Sequence, residues 1–259
     1  MKKPKVIITR RLQDRVEKRM RELFNVNLSN AEYPISRQEL LSAVKQADIL
    51  VPTIGDKIDA SILSAASSSL KLIANYGAGY DHIDIKTALQ RGIIVTNTPE
   101  VLTDATAEIG ILLILGACRR ASEGIEDAKA SNWKWSADYL IGKQLTGTRL
   151  GILGMGRIGK KIAKIARSLG MIIHYHNRSK LSSDKEEGAI YHKELKSLLS
   201  VSDVLSVCCP ASKETINLIN KETLEYLPKG AVVTNVARGD IVEDEALIDA
   251  LNRRKVYAV

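Results

Sequence analysis

The 259 residues of the chain are 45% hydrophobic, 26% charged and 4% aromatic, which excludes a disordered chain and is typical of a globular protein with an aliphatic core. The three cysteines are odd in number and lack metal spacing, so they favour buried, reduced thiols over a disulfide framework. Because no segment resembles a signal peptide or a membrane-spanning helix, the sequence predicts a cytoplasmic protein with no membrane partner.

Most of the net charge of +8 lies in residues 1–30, which include the first predicted helix. Residues 1–30 contain nine Lys or Arg and three Asp or Glu, and this difference (9 − 3) gives +6. Leu12, Val16 and Met20 recur at helical spacing through the same stretch, so we expect the charges on the solvated face of an amphipathic helix. This placement favours a chain without a nucleic-acid partner, with a functional basic patch as the alternative.

Short β-branched runs alternate with helical patterns up to about residue 100. The N-terminal helix is predicted for Leu12–Phe24, and a second helix begins at Ser36, where Glu39 completes a capping box. This alternation predicts a parallel sheet covered by helices on both faces. The predicted strands are Val6–Thr9, Val26–Leu28, Ile49–Thr53, Leu70–Asn75 and Ile93–Thr96.

A second alternating series follows a long helix, predicted for Thr103–Lys129, and the Trp133–Trp135 segment. Residues 97–99 (Asn-Thr-Pro) interrupt the pattern, so the predicted domains are residues 1–99 and 100–259. The fold class is therefore α/β, with two Rossmann-like or flavodoxin-like domains of doubly wound parallel sheets. The strands predicted in the second domain are Leu150–Leu153, Met171–His176, Asp203–Cys208, Ala231–Asn235 and Val256–Val259.

A glycine-rich motif, G-x-G-x-x-G, occupies residues 154–159. It follows the apolar strand Leu150–Leu153 and precedes a helix predicted for Lys160–Leu169, which is the context of a dinucleotide-binding turn. In such a turn the glycines allow close packing, and the amides at the helix N-terminus bind the pyrophosphate. The alternative is a βα turn without a ligand. The residues expected to form this cofactor site are Gly154, Gly156, Arg157, Ile158 and Gly159.

The end of the next strand indicates which dinucleotide binds. An acidic residue for the ribose 2′-hydroxyl of NAD is usual about 20 residues beyond the glycines. This chain has Asn177, Arg178 and Ser179 there instead. A guanidinium can hold a 2′-phosphate through two hydrogen bonds, so the sequence predicts NADP (NADPH) as the cofactor and disfavours NAD. A surface arginine with no ligand is the alternative for Arg178.

Two further loops follow strands, at the edge where α/β sheets bind ligands. Residues 77–81 (Gly-Ala-Gly-Tyr-Asp) contain small residues whose amides can form an anion-binding concavity, although a plain turn would have the same composition. Residues 236–240 (Val-Ala-Arg-Gly-Asp) contain Arg238, which could hold a carboxylate bidentately or could be a solvated arginine.

Together these motifs resemble the D-isomer-specific 2-hydroxyacid dehydrogenases over residues 50–259. Residues 175–178 are most similar to the glyoxylate and hydroxypyruvate reductase branch, which uses NADPH. The matching motifs, in the order of the family, are Asn75–Asp81, Cys118–Arg120, Leu145–Gly147, Leu150–Gly159, Cys209-Pro210, Glu214-Thr215, Leu218–Asn220 and Val236–Gly239.

The resemblance implies reduction of a small 2-oxo acid, such as glyoxylate or hydroxypyruvate, to the D-2-hydroxy acid. It implies that the backbone of Ala78 and Gly79 holds the substrate carboxylate, that Ile54 shapes the pocket, and that Arg238 is the catalytic arginine. It also implies a homodimer, a substrate domain in residues 1–99 and an NAD(P)-binding domain in residues 100–259, both incomplete. The further cofactor contacts that it implies are Cys209, Pro210, Thr215, Val236, Ala237 and Arg238.

In the family, proton transfer is carried out by a glutamate and a later Pro-His pair. Both follow the matching arginine in the sequence. Only 21 residues follow Arg238, and the chain ends inside the predicted strand Val256–Val259, so the sequence predicts a truncated, slow or inactive member. The alternatives are a non-catalytic NADP-binding sensor or interaction protein and the product of a decaying gene. No metal site is predicted. The four histidines, which all precede Arg238, are His82, His174, His176 and His192.

Overall fold

Two parallel sheets organise the chain in the computed structural model, which describes residues 3–132 and 134–258. The contacts divide the chain into a first unit, Met1–Leu102, and a second unit, Thr103–Val259. Among the described residues, no helix has the length and apolar character needed to cross a membrane.

The first unit has a five-stranded sheet in the order β2-β1-β3-β4-β5, in which every pair is parallel. Its strands are β1 (Lys5–Ile8), β2 (Asn25–Leu28), β3 (Ile49–Val51), β4 (Leu72–Ala74) and β5 (Ile94–Thr96). Its helices are α1 (Asp14–Leu23), α2 (Arg37–Gln46), α3 (Ala60–Ser64) and α4 (Ile85–Gln90).

The second unit has a six-stranded sheet in the order β11-β10-β9-β6-β7-β8, again with parallel pairs throughout. Its strands are β6 (Arg149–Leu153), β7 (Ile172–His176), β8 (Ile190–Tyr191), β9 (Val204–Val207), β10 (Ala231–Asn235) and β11 (Val256–Ala258). Its helices are α5 (Thr103–Cys118), α6 (Ala121–Lys129), α7 (Arg157–Ser168), α8 (Ser183–Glu186), α9 (Leu195–Val201), α10 (Lys221–Glu225) and α11 (Asp244–Asn252).

Helices cover both faces of each sheet, because successive strand residues point to opposite sides. In the first unit, Ile7 lies in the core on the face covered by α2 and α3, whereas Val6 and Ile8 lie on the face covered by α1. In the second unit, Ile152 packs with α5 and α7, and Leu205 packs with α9 and α10. The doubly wound α/β class predicted from the alternating pattern is confirmed. Because helices cover both faces, the polar groups of each sheet lie at the ends of its strands.

The capping box predicted at Ser36 is also confirmed. The Ser36 hydroxyl accepts from Glu39 N at 3.2 Å, and the Glu39 carboxylate accepts from Ser36 N at 2.8 Å. Two orphan amide groups at the start of α2 are satisfied in this way.

The single helix predicted for Thr103–Lys129 is wrong, because the structure has two helices there, α5 and α6. Arg120 lies between them with φ of +52°, in the left-handed region, which ends the helical path. The carbonyl of Cys118 accepts from Lys143 N at 2.7 Å, so the end of α5 is fixed by a segment beyond α6. An apolar pattern carries no signal for such a distant contact.

Five short elements were not predicted, because each has too few residues to show a clear period. They are α3, α8, β8, α9 and α10. The last strand, β11, is described to Ala258. Trp133 of the predicted Trp133–Trp135 segment and Val259 of the last predicted strand lie outside the described residues.

Candidate functional site

The glycine-rich turn joins the carboxyl end of β6 to α7, in the strand–turn–helix order that the motif predicts. Gly154 has φ of +100°, which favours glycine, and a Cβ there would lie 2.5 Å from the amide nitrogen of Cys209. Gly154 N also donates to His176 O at 3.0 Å. The turn is therefore held against the strands on both sides of β6, and only glycine fits at its first position.

The other two glycines have different surroundings. A Cβ at Gly159 would collide with the carbonyl oxygen of Gly154, so Gly159 allows α7 to pack closely against the turn. A Cβ at Gly156 would meet nothing within 4 Å, and no side chain caps α7 at this residue. The amides of Arg157 and Ile158, at the first two positions of α7, thus begin a helix whose positive end adjoins open space. This arrangement fits a phosphate group.

Asn177 has a structural contact that the sequence did not reveal. Its side-chain oxygen accepts from Met155 N at 2.7 Å, and its carbonyl accepts from Tyr191 Oη at 3.3 Å. Asn177 therefore fixes the glycine-rich turn from the end of β7. A cofactor contact for Asn177 stays a prediction.

Arg178 and Ser179 follow Asn177 and are both exposed. The pKa of the Glu214 carboxyl lies below its ordinary value, first because Ser212 donates a hydrogen bond to it, with a smaller contribution from the charge of Arg178. The Arg178 guanidinium is thus close enough to interact electrostatically with the loop that follows β9. An exposed guanidinium at this position fits the 2′-phosphate of NADP.

Three histidines stabilise the strand edge behind Arg178. His174 Nδ1 lies 2.9 Å from His192 Nε2, and His176 Nδ1 lies 2.9 Å from His192 O, which links β7 to the residue after β8. Burial, together with the nearby charge of His192, lowers the pKa of His174, and burial also lowers the pKa of His192. Both rings are therefore predominantly neutral near pH 7, in structural positions.

The loop after β9 contains the predicted residues Cys209, Pro210 and Thr215. Cys209 is buried behind Gly154, and burial raises the pKa of its thiol. Thr215 Oγ1 donates to Pro210 O at 2.8 Å and accepts from Ser212 N at 2.7 Å, so Thr215 closes this loop. The neighbouring Cys208 is half-buried, and its pKa is raised to about 12 by burial, which makes it a poor nucleophile near pH 7.

The loop after β10 is organised by Asn235. The Asn235 side chain accepts from Ala237 N at 2.8 Å and donates to Arg238 O at 2.8 Å. Val236 N donates to Val207 O at 3.2 Å, which extends the pairing of β10 with β9. Arg238 is half-buried, and its Nη1 donates to Ala237 O at 3.0 Å.

A loop of the first unit, residues 77–79, turns three successive carbonyl groups toward asparagine side chains. Asn75 Nδ2 donates to Gly77 O at 3.0 Å and to Gly79 O at 2.8 Å. Asn97 Nδ2 donates to Ala78 O at 2.8 Å. The amides of Ala78 and Gly79 donate to no partner among the described residues. Both amides are therefore open to a ligand, which fits the anion-binding concavity that the sequence predicts.

Ile54 lies beside this concavity. Its side chain is 61% exposed, and its Cγ2 would lie 3.0 Å from a Cβ placed on Gly77. A ligand at Ala78 and Gly79 would therefore meet an aliphatic side chain next to the amides.

The predicted residues thus form two groups. In the second unit, the turns after β6, β7, β9 and β10 lie at one edge of the sheet, because parallel strands share the same direction. In the first unit, Ile54, Ala78 and Gly79 lie together. Sequence reasoning assigned no role to Asn75, Asn97 and His82, although Asn75 begins the motif Asn75–Asp81, His82 follows that motif and Asn97 follows a strand. Within residues 3–132 and 134–258, no three His, Cys, Asp or Glu residues form a metal-binding group.

Comparison with known proteins gives concordant matches. Residues 111–259 match the model of the D-isomer specific 2-hydroxyacid dehydrogenase NAD binding domain. A glyoxylate reductase from Thermococcus onnurineus is 41% identical over 96% of this chain and 76% of its own length. A glycerate dehydrogenase from Hyphomicrobium methylovorum is 38% identical over 100% of this chain and 81% of its own length. A D-isomer specific 2-hydroxyacid dehydrogenase structure from Polaromonas superposes with a TM-score of 0.90, at 40% identity over 98% of this chain and 81% of that chain.

The contrast between Gly156 and Gly159 gives a test of the glycine-rich turn. Gly159→Ala places a methyl group against the Gly154 carbonyl, so we expect a destabilisation of roughly 1–3 kcal/mol, typical of overpacking. Gly156→Ala should leave the melting temperature nearly unchanged but weaken dinucleotide binding, because its methyl group enters the space where a phosphate would approach. Thermal unfolding and a fluorescence titration with NADPH measure both effects. Unchanged NADPH affinity in Gly156→Ala would exclude this turn as the phosphate site.

Proposed function

The chain belongs to the D-isomer specific 2-hydroxyacid dehydrogenases, and from this membership we propose that it reduces glyoxylate or hydroxypyruvate to the D-2-hydroxy acid with NADPH. The glyoxylate reductase and glycerate dehydrogenase names of its relatives support small 2-oxo and 2-hydroxy acids as its ligands. The observation that carries the proposal is the pair of adjacent outward amides at Ala78 and Gly79, beside Ile54.

Each group of residues has a separate part in the proposed reaction. A bound nicotinamide cofactor supplies the hydride. The amides of Ala78 and Gly79 hold the substrate carboxylate, and Ile54 limits the size of the substituent beside it. In the second unit, the planar fork of Arg238 can hold a carboxylate and polarise a carbonyl group. Residues 1–99 accordingly serve as the substrate domain and residues 100–259 as the NAD(P)-binding domain.

We also propose that the cytoplasmic protein is a homodimer, as its family resemblance implies. Several large apolar side chains along α5, α6 and the segment after them are exposed, which supports a surface that a second copy of the chain covers. The mass of the protein in sedimentation equilibrium would test the dimer. These exposed side chains are Ile109, Leu112, Ile125, Trp135 and Ile141.

The cofactor preference depends on Arg178. NADPH should bind more tightly than NADH, and Arg178→Ala should remove most of the difference, because a charge-assisted phosphate contact contributes roughly 1.5–3 kcal/mol. Calorimetric titration with both cofactors measures this effect. Lys180→Ala is the matched control, since it removes a neighbouring exposed cation whose partner is Glu186. Equal affinity of the unmodified chain for both cofactors would contradict the assignment.

The role of Arg238 can be separated from cofactor binding. Arg238→Lys keeps the charge but loses the planar fork, so oxalate affinity should fall while NADPH affinity stays nearly constant. The measurement is calorimetric titration of oxalate in the presence of NADPH, preceded by NADPH alone. Arg253→Lys is the control, because Arg253 pairs with Glu225 and Asp249 on α10 and α11. If oxalate affinity is unchanged in Arg238→Lys, Arg238 does not contact the substrate.

A second candidate function is NADP binding without catalysis, and the positions of the histidines favour it. His174, His176 and His192 lie on or next to β7 and β8, whereas Arg238 follows β10, with β9 and β6 between. Three strand spacings correspond to about 14 Å, which is beyond the reach of direct proton transfer. The strands of these three histidines are therefore not adjacent to the strand of Arg238, which supports the candidate without catalysis.

Turnover distinguishes the two functions. Positioned acid–base groups contribute about 10²–10⁴-fold to rate, so under the non-catalytic candidate we expect NADPH binding with glyoxylate reduction slower by about this factor or absent. Loss of absorbance at the NADPH band, with glyoxylate, hydroxypyruvate and pyruvate in turn, measures the rate. Turnover of ~1–10³ per second would assign the proton to another residue and would reject the non-catalytic candidate.

A further inference from the structure

Asn75 lies at the centre of the loop that presents the amides of Ala78 and Gly79. The residue is 2% exposed and directly follows β4. Its two side-chain ends have different partners: Nδ2 donates to Gly77 O and Gly79 O, and Oδ1 lies 3.0 Å from His82 Nε2. A carbonyl oxygen can only accept a hydrogen bond, so the NH₂ end of Asn75 must face the two carbonyls. The Asn75 oxygen consequently faces His82.

This orientation determines the position of the His82 proton. Because Asn75 Oδ1 is an acceptor, the hydrogen bond exists only when His82 Nε2 carries hydrogen. In the other neutral tautomer, two acceptors would face each other across 3.0 Å. Asn75 would then lose either this contact or, after an amide flip, its contacts with Gly77 and Gly79. The tautomer of His82 is thus coupled to the orientation of the buried amide.

The orientation of Asn75 in turn sets the direction of the loop amides. In a trans peptide the carbonyl oxygen and the next amide hydrogen point in opposite directions, and the described chain has no cis peptide bond. Asn75 holds the carbonyls of Gly77 and Gly79 inward, and Asn97 holds that of Ala78. The amides of Ala78, Gly79 and Tyr80 must therefore point away from the asparagine side chains.

From these contacts we propose that His82 is a positioning residue for carboxylate recognition: its Nε2–H locks the Asn75 amide, and Asn75 in turn aims the amide of Ala78 at an anion, next to the amide of Gly79 that Asn97 orients. The inference rests on the proposed function, in which this loop binds the carboxylate of a small 2-oxo acid. It adds to that function a histidine that acts through Asn75 and touches neither the substrate nor the cofactor. The anion is held by oriented peptide dipoles, whose geometry must be fixed before the ligand arrives.

Two substitutions of His82 separate this role from simple packing. In His82→Gln the side-chain Nε2 is as many bonds from the backbone as the histidine Nε2, so a donor to Asn75 is kept. In His82→Leu the space is filled without a donor. We expect oxalate affinity, measured with NADPH present, to fall on the order of tenfold in His82→Leu and to stay within about threefold of the parent in His82→Gln. A role in packing alone would not favour Gln over Leu.

A second measurement does not depend on any variant. Nitrogen chemical shifts of histidine-labelled protein near pH 8, assigned with His82→Gln, should show the neutral His82 ring with hydrogen on Nε2. Hydrogen on Nδ1 alone would overturn the proposal, and this result would decide the matter if His82→Leu does not fold.

The titrations also distinguish failure of the inference from failure of the proposed function. If the parent binds oxalate and His82→Leu binds it equally well, the positioning role is wrong and the carboxylate site stands. If the parent binds NADPH but neither oxalate nor glyoxylate, the carboxylate site itself is wrong, and the role of His82 is rejected with it.

Discussion

Both sheets contain only parallel pairs among the described strands, and this constraint places every candidate functional group. Parallel strands have their carboxyl ends at one edge, so turns that are far apart in the sequence meet there. Helices bury both faces of each sheet, which leaves this edge as the region where backbone polar groups can face a ligand. The turns after β6, β7, β9 and β10 lie at the edge of the second sheet, and the loop after β4 lies at the edge of the first.

Asparagine side chains fix the backbone at these edges. Asn75 and Asn97 hold three carbonyl groups of the loop after β4, Asn177 holds Met155 N in the glycine-rich turn, and Asn235 bonds to both Ala237 and Arg238. Each of these residues ends a strand or directly follows one. An amide has both a donor and an acceptor end, so it can satisfy backbone groups of either kind without adding charge. The polar edge can therefore be rigid without charged side chains, and its positive charge comes from the arginines.

Charge is distributed differently in the two units. In the first unit, the proposed carboxylate contacts are the peptide amides of Ala78 and Gly79, whereas Arg178 and Arg238 are the cations of the proposed cofactor and substrate contacts in the second unit. His174 and His192 are predominantly neutral near pH 7, because burial lowers their pKa values. Their hydrogen bonds stabilise the edge formed by β7 and β8 and leave the electrostatics of the turn to Arg178.

Features that depend on neighbouring residues could be predicted from the sequence. The alternating strand and helix periods predicted the parallel α/β class, G-x-G-x-x-G predicted the turn between β6 and α7, and Ser36 with Glu39 predicted a capping box. Only the tertiary structure decided the break between α5 and α6, the pairing of β8, and the contacts of Asn75, Asn97 and Asn177. The physical reason is the range of the interactions. A helix period or a cap is set within a few residues, whereas the partners of Cys118 and Asn177 come from distant parts of the chain and are brought close only by the packing of the sheet.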